Sequence, residues 1–189
     1  MLVLKRPSQV ALLTLVFAGA PGCLVLNVNP VYDGDTIGWD PALVGSWHDA
    51  EDNVTLEIQP DEWKSYRIRY QHPIEQGDLT AYLTIVGNDR FVDVMPARGK
   101  DYGSFLVPVH AVLRIHLAGD SLTVTPLSYD WFFDRLRENI RVPGLACAFD
   151  QKDNALIVSS TSALRTWLRR QPAGDGMFGA SAVFTRVKR

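Results

Sequence analysis

The chain has 189 residues, of which 47% are hydrophobic and 21% charged, and its formal net charge at pH 7 is −2. This composition is that of a globular protein, and it excludes a disordered chain or a collagen-like fibre. A slightly acidic chain also lacks the positive surface that nucleic-acid binding requires, so we expect no nucleic-acid partner. The length suits one folded domain with a sizeable core.

The N-terminus has the order of features that is typical of a secretory signal. Lys5 and Arg6 precede an apolar run over residues 10–20. A helix over this run would be about 16 Å long, well short of the roughly 30 Å hydrocarbon core of a bilayer. The run therefore predicts a signal segment that is removed, and not a stable membrane span.

Two cleavage sites compete after this run. Residues 18–20, Ala-Gly-Ala, offer the small side chains that an ordinary signal peptidase accepts. Pro21 would then follow the cut, where its fixed φ and missing N–H disfavour an extended substrate. Residues 20–23, Ala-Pro-Gly-Cys, instead resemble a bacterial lipobox, although the usual pattern begins with Leu and has no Pro in second place.

The lipobox resemblance implies that the chain is cut before Cys23 and that this cysteine carries the lipid which anchors the protein to a cell-envelope membrane. In lipoproteins of enteric bacteria, an Asp directly after that cysteine retains the protein in the inner membrane, and here that position is Leu24. The resemblance therefore favours the periplasmic face of the outer membrane. The competing interpretation is that Cys23 is an ordinary small apolar residue. With Cys23 lipidated, Cys147 has no partner cysteine in the chain, and we expect no disulfide.

Residues 24–42 mix Pro, Gly, Asn and Asp with isolated hydrophobic residues, which predicts an extended connection that docks on the folded domain. We therefore divide the chain into a signal peptide (1–22), a lipidated N-terminus and tether (23–42) and a folded domain (43–189).

Period-two alternation, which is typical of strands with one buried face, recurs through the domain. It predicts strands at residues 54–59, 66–70, 79–85, 90–95, 111–117, 122–126, 145–149, 155–159 and 182–187. Turn-forming residues such as Gly119 and Asp120 separate the runs, so we expect strands adjacent in sequence to pair antiparallel.

Two segments have helical periodicity instead. Residues 129–141 place Phe132, Leu136 and Ile140 four positions apart, and a Pro-Gly pair follows. Residues 160–170 carry an apolar stripe behind Ser and Thr residues that suit a helix N-terminus. A long sheet with one apolar face must cover that face and its edges, and closing into a barrel does both. We therefore predict a mainly β fold, an antiparallel barrel of roughly 8–10 strands with two short α-helices inserted in its C-terminal half.

Residues 43–47, Leu-Val-Gly-Ser-Trp, resemble the Gly-x-Trp signature that opens the first strand of lipocalins and related calycins. Arg186 lies in the last predicted strand, where lipocalins often place an Arg across the tryptophan. The second lipocalin motif, Thr-Asp-Tyr, is absent, and Tyr-Asp-Trp at 129–131 resembles it only distantly. Over most of residues 20–186, the layout is similar to a group of uncharacterised bacterial lipoproteins with a lipocalin-like domain. This resemblance implies location and fold, and hardly any activity.

The sequence contains none of the short motifs that indicate a nucleophile, a redox pair or a nucleotide site, such as Gly-x-Ser-x-Gly, Cys-x-x-Cys or a P-loop. His110 and His116 share strand parity, but they would lie about 20 Å apart, too far to bind one metal ion. Arg114 has the same parity, which predicts a solvated face. We assign no catalytic, cofactor-binding or metal-ligating residue, and we expect no cofactor and no enzymatic activity.

Two further groups have plain structural interpretations. Cys147 lies in an apolar strand, which predicts a thiol that packs as a small hydrophobic residue and has a raised pKa. Asp130, Asp134 and Glu138 lie four residues apart on one predicted helix and alternate with arginines, which predicts a solvated charged face.

Aromatic side chains are candidates for lining an interior cavity, as they do in lipocalins. They are Tyr66, Tyr70, Phe91, Phe105, Trp131 and Trp167. The competing interpretation, which the sequence favours, is that they fill the core completely, because a small barrel is either solid or holds one ligand.

Two functional hypotheses remain open. In the first, a non-enzymatic envelope lipoprotein binds an apolar small molecule or lipid in its barrel. The alternative is a structural or interaction lipoprotein that docks a partner protein in an envelope complex through its helices and acidic surface.

Overall fold

The structure is a computed structural model that describes residues 24–97, 107–170 and 176–188. Its strands, in chain order, are β1 Val25–Asn27, β2 Ile37–Gly38, β3 Gly45–Asp49, β4 Val54–Pro60, β5 Ser65–His72, β6 Glu75–Val86, β7 Asp89–Pro96, β8 Ala111–Ala118, β9 Ser121–Pro126, β10 Cys147–Phe149, β11 Ala155–Ile157 and β12 Ala182–Arg186. Its helices are α1 Tyr129–Arg137 and α2 Thr161–Arg170, and a 3₁₀ turn spans Pro41–Leu43.

Eight of these strands form a closed antiparallel barrel. Strands β3 to β9 pair with one another in chain order, and β12 pairs with both β9 and β3 to complete the ring. Closure leaves no free edge among the eight strands and gives each strand one face toward the interior. The predicted mainly β fold, an antiparallel barrel of roughly 8–10 strands, is therefore confirmed, with its two short helices between β9 and β12 in the C-terminal half.

The register of the wall follows the period-two alternation of the sequence. Leu56 of β4 pairs with Tyr70 of β5, and Ile58 pairs with Ile68. These side chains all belong to the apolar core inside the barrel. Side chains of opposite parity, such as the exposed Arg67, lie on the outer surface.

A second apolar core lies outside the barrel wall, beneath the two helices. Phe91, Val112, Phe132 and Trp167 belong to this core, and each of them is almost fully buried. Strand β1 pairs parallel with β11, which pairs antiparallel with β10, and this three-stranded sheet covers part of the same core. The sequence predicted β10 and β11 as strands, but alternation alone does not show that they leave the barrel.

The predicted helix over 129–141 is shorter in the structure, because α1 ends at Arg137. Asn139 adopts a left-handed backbone conformation with φ 58°, which a continuing α-helix does not permit. Ile140, the last residue of the predicted apolar stripe, is 49% exposed. Phe132 of this stripe is therefore fully buried, whereas Ile140 at its C-terminal end lies outside the core.

The N-terminal segment, residues 24–42, runs from the three-stranded sheet of β1, β11 and β10 to one end of the barrel. The backbone of Asn27 exchanges hydrogen bonds with that of His110, at 2.8 and 2.9 Å. Farther along, the Val31 N–H donates to the buried carboxylate of Asp93 at 2.7 Å. Strand β2 then pairs with β6, and the 3₁₀ turn leads into β3. The segment covers the outer wall at β7 and β8.

Candidate ligand cavity

The barrel interior contains a cavity of about 130 Å³, so the sequence-based preference for a completely filled core is wrong. Side chains from all eight barrel strands line it, and most of them are Val, Leu, Ile and Ala. The physical reason is side-chain length. Ala182 and Val124 face the interior on neighbouring strands, and they are too short to fill the barrel at that level.

The aromatic residues that sequence patterning proposed for the cavity are divided between the two cores. Tyr66 and Tyr70 line the cavity. Phe91, Trp131 and Trp167 instead belong to the core outside the barrel, so these three candidates do not line the cavity. Phe91 alternates with inward-facing residues of β7 and points outward, whereas Trp131 and Trp167 lie on the helices. The remaining candidate, Phe105, lies outside the described residues.

One end of the cavity is filled by the residues of the Gly-x-Trp motif and the turn before it. Trp47 is fully buried, and its Nε1–H donates to the carbonyl of Leu43 at 2.9 Å. The Arg186 guanidinium lies 4.1 Å from the centre of the Trp47 ring and donates to the carbonyl of Val44 at 2.9 Å. The expected placement of an arginine across the tryptophan is therefore confirmed.

Gly45 is required by the same arrangement. Its backbone has φ +141°, and a Cβ atom there would lie 2.6 Å from Nη1 of Arg186. Any side chain at this position would push the guanidinium away from the Trp47 ring. The glycine of the motif thus has a steric cause in this barrel.

The other end of the cavity is polar. Asp49, the last residue of β3, lines the cavity there together with Asp52 and with His72, the last residue of β5. The buried carboxylate of Asp49 accepts a hydrogen bond from the N–H of Glu51 at 2.9 Å. An amphiphilic molecule could therefore place its apolar part among the wall residues and its polar part at this end.

Glu75 begins β6 at the same end, and its Oε1 is buried without a hydrogen-bond partner among the described residues. Burial raises the pKa of Glu75, and the neighbouring His72 acts in the opposite direction. Burial, and then the charge of Glu75, raises the pKa of Tyr70. A Cβ on Gly77 would lie 2.7 Å from the Tyr70 ring, so the glycine leaves room for the tyrosine beside the cavity.

The face that carries His110, Arg114 and His116 is not uniformly solvated, which corrects the sequence-based prediction. His116 is exposed. His110 is only 4% exposed, and its Nδ1 lies 2.6 Å from Oδ1 of the fully buried Asp93. The Arg114 guanidinium lies 3.9 Å from the centre of the Phe178 ring. The N-terminal segment covers His110 and Phe178 covers Arg114, and strand parity alone does not reveal either cover.

The plain structural interpretations of the remaining polar groups are confirmed. Cys147 is half-buried against the outer core, and burial raises its pKa to about 11. Asp130, Asp134 and Glu138 are all exposed. Throughout the described residues, no three His, Cys, Asp or Glu side chains come close enough together to hold a metal ion.

Cys23, the predicted lipidation site, lies outside the described residues. None of the helices in the described part of the chain has the length and apolarity needed to cross a membrane. No protein-family model, no curated protein and no solved structure matches this chain.

Proposed function

We propose that this protein is a non-enzymatic bacterial envelope lipoprotein, anchored through Cys23, whose barrel binds the apolar part of a small molecule or lipid. The observation that carries the ligand-binding part of the proposal is the apolar cavity of about 130 Å³ inside a closed barrel, whereas the anchor rests on the lipobox resemblance of residues 20–23. An apolar cavity of about 150 Å³ in another protein stays dry and binds benzene. The barrel thus has room for a group of that size.

The cavity volume limits the kind of ligand. Pockets for drug-sized molecules usually have volumes of roughly 300–1,000 Å³, so this cavity suits an apolar group of about six carbons. A longer acyl chain would enter only by its end, and its polar part would lie near Asp49 and His72. Burying about six carbons contributes about 5 kcal/mol, which corresponds to a Kd of roughly 0.2 mM.

A fluorine NMR titration with fluorobenzene tests the cavity, in the full chain with Cys23→Ser so that no attached lipid competes. We expect saturable broadening of the fluorobenzene signal. Ala182→Leu places a larger side chain in the cavity and should weaken binding at least tenfold. Val183→Leu is the matched control, because Val183 is the next residue of β12 and is 52% exposed on the outer face. Equal binding by the two variants, or none by the parent, would refute a ligand-binding barrel.

Mass spectrometry of the protein from bacterial membranes tests the anchor. We expect an N-terminus at Cys23 with the added mass of acyl chains such as palmitate, and recovery in the outer-membrane fraction. The Cys23→Ser variant should lose that mass. An N-terminus at Pro21, or an unmodified Cys23, would show that the lipobox prediction is wrong.

Docking of a partner protein in an envelope complex is the second candidate function. Trp63, in the β4–β5 connection, is 86% exposed and has φ 55°, an uncommon conformation for a bulky residue. Strained, exposed aromatic residues are often found where proteins bind partners. A photo-crosslinking residue at position 63 that captures no envelope protein in cells would count against this candidate.

A further inference from the structure

The start of β1 limits how far the folded domain can lie from a lipid on Cys23. One residue, Leu24, separates Cys23 from β1, which begins at Val25. Leu24 is itself held in place, because its N–H donates to Oδ1 of Asn154 at 3.3 Å and its carbonyl accepts from the N–H of Ala155 at 2.9 Å. Consecutive Cα atoms are about 3.8 Å apart, so the anchored residue is about 4 Å from a fixed point of the domain.

The turn between β10 and β11 lies at this same point. Strands β1 and β11 are parallel and in register from Val25 with Ala155, and Ala155 also pairs with Phe149 of β10. The turn over residues 150–154 therefore adjoins the position at which the chain leaves the domain toward Cys23. We call the exposed residues of this turn, Gln151, Lys152 and Asp153, the anchor-side turn.

The anchor-side turn is closed by its own hydrogen bonds. The carboxylate of Asp150 accepts from the N–H groups of Lys152 and Asn154 at 2.7 and 2.9 Å, and from the side-chain amide of Asn154 at 2.8 Å. The Tyr129 hydroxyl donates to the carbonyl of Asp153 at 2.8 Å, which ties the turn to α1. These bonds tie the turn to the domain beside the point at which the chain leaves toward Cys23.

We infer that the anchor-side turn, with Phe149 beside it, lies against the lipid surface into which the Cys23 anchor inserts. This inference rests on the proposed lipidation. Phe149 is 36% exposed, and Ala148 on the same strand is also exposed, so apolar groups are available for the membrane interface. Lys152 and Asp153 carry charges of opposite sign, and a zwitterionic phospholipid headgroup likewise carries one charge of each sign.

The opposite side of the barrel supplies a control position. The N-terminal segment adjoins β8 through the backbone bridge between Asn27 and His110. Strand β4 is four strands from β8 in the ring of eight, and so it lies across the barrel. Gln59 is exposed on β4 and is expected to face away from the membrane.

Fluorescence quenching on vesicles tests this orientation. The lipidated full-length protein carries Cys147→Ala together with either Lys152→Cys or Gln59→Cys, each labelled with a small fluorophore. The proteins are reconstituted into phosphatidylcholine vesicles that contain a lipid with a nitroxide on its headgroup. We expect quenching at position 152 to exceed quenching at position 59 at least threefold. Gln151→Cys reports on the same turn if Lys152→Cys does not fold.

The outcomes separate the orientation from the anchor. Equal quenching at positions 152 and 59, or stronger quenching at 59, overturns the inference while lipidation stands. A mass spectrum without lipid on Cys23 overturns both the inference and the proposed anchor. Cys23→Ser in the Lys152→Cys protein should abolish quenching, and quenching that persists would show that the lipid does not set the orientation.

Discussion

Arg186 connects three parts of one barrel end. Its guanidinium lies over the Trp47 ring, donates to backbone carbonyls before β3 and forms an ion pair with Asp120 at 3.4 Å. Arg186→Ala is expected to lower the free energy of unfolding by about 2–4 kcal/mol, because charge-assisted hydrogen bonds and a cation–π contact are lost together. Urea denaturation measures this change.

Arg67→Ala is the control for Arg186. Arg67 pairs with Asp61 at 3.5 Å, but its side chain is 59% exposed. Exposed ion pairs contribute about 0–1 kcal/mol, so this variant should differ little from the parent. Similar losses in the two variants would mean that the contacts of Arg186 with Trp47 do not stabilise the barrel.

Cys147 is expected to be unreactive in the folded protein. Burial raises its pKa to about 11 from an ordinary value of 9.0, so at pH 8 only about 0.1% of the thiol is ionised. Alkylation by iodoacetamide should therefore be slow at pH 8, rise as the pH approaches 11 and accelerate in urea. An alkylation rate with a midpoint near pH 9 in the folded state would contradict the burial of this thiol.

The same pKa shift makes stability depend on pH. The folded state favours the neutral thiol, so its contribution is fully present below about pH 9 and is lost as the pH rises toward 11. Cys147→Ala should reduce this alkaline loss, which thermal unfolding measured between pH 8 and 11 detects.

At the scale of elements, the N-terminal segment depends on Asp93. This carboxylate is fully buried in the barrel wall, and it accepts from the Val31 N–H and lies against the His110 ring. Asp93→Ala leaves both groups without that partner and should cost about 3 kcal/mol of unfolding free energy. Hydrogen exchange should also become faster at Val31 and its neighbours, because the segment is released locally.

Two further variants separate the contacts of Asp93 from a general loss of charge. Asp93→Asn keeps an acceptor for the Val31 N–H and should lose less stability than Asp93→Ala. Asp134→Ala removes an exposed carboxylate from α1 and should change stability by about 0.5 kcal/mol or less. If Asp134→Ala and Asp93→Ala behaved alike, Asp93 would not hold the segment.

At the scale of the whole molecule, the cavity limits how closely the side chains inside the barrel pack. Enclosed cavities left by truncated core side chains cost about 24 cal/mol per Å³, so added apolar contacts inside this cavity should be stabilising. Ala182→Leu fills part of it and should raise the free energy of unfolding by about 1 kcal/mol while weakening fluorobenzene binding. Val183→Leu should alter neither quantity. A destabilised Ala182→Leu variant that still binds fluorobenzene would contradict the cavity geometry.

Most elements of the fold could be predicted from the sequence because their signals are local. Alternation in β4 to β9 and β12 places apolar side chains on one face, and such strands must cover that face whatever else surrounds them. Helical periodicity identified both helices, and the apolar residues around Cys147 indicated its raised pKa. The resemblance of the Gly-x-Trp motif placed the first barrel strand and predicted that Arg186 of the last strand lies across Trp47, because those residues depend on a recurring steric and electrostatic contact.

Only the tertiary structure decided what covers the outer face of each barrel strand and how much space remains inside the barrel. Asp93 lies between two valines of β7, and this polar residue in an apolar run is a local signal that the sequence reasoning missed, because strand parity alone assigns its face to solvent. The outward direction of Phe91 and the position of β1 beside β11 depend on contacts between distant parts of the chain. Cavity volume is a small difference between the space that the backbone encloses and the side chains that fill it, and no local pattern encodes that difference.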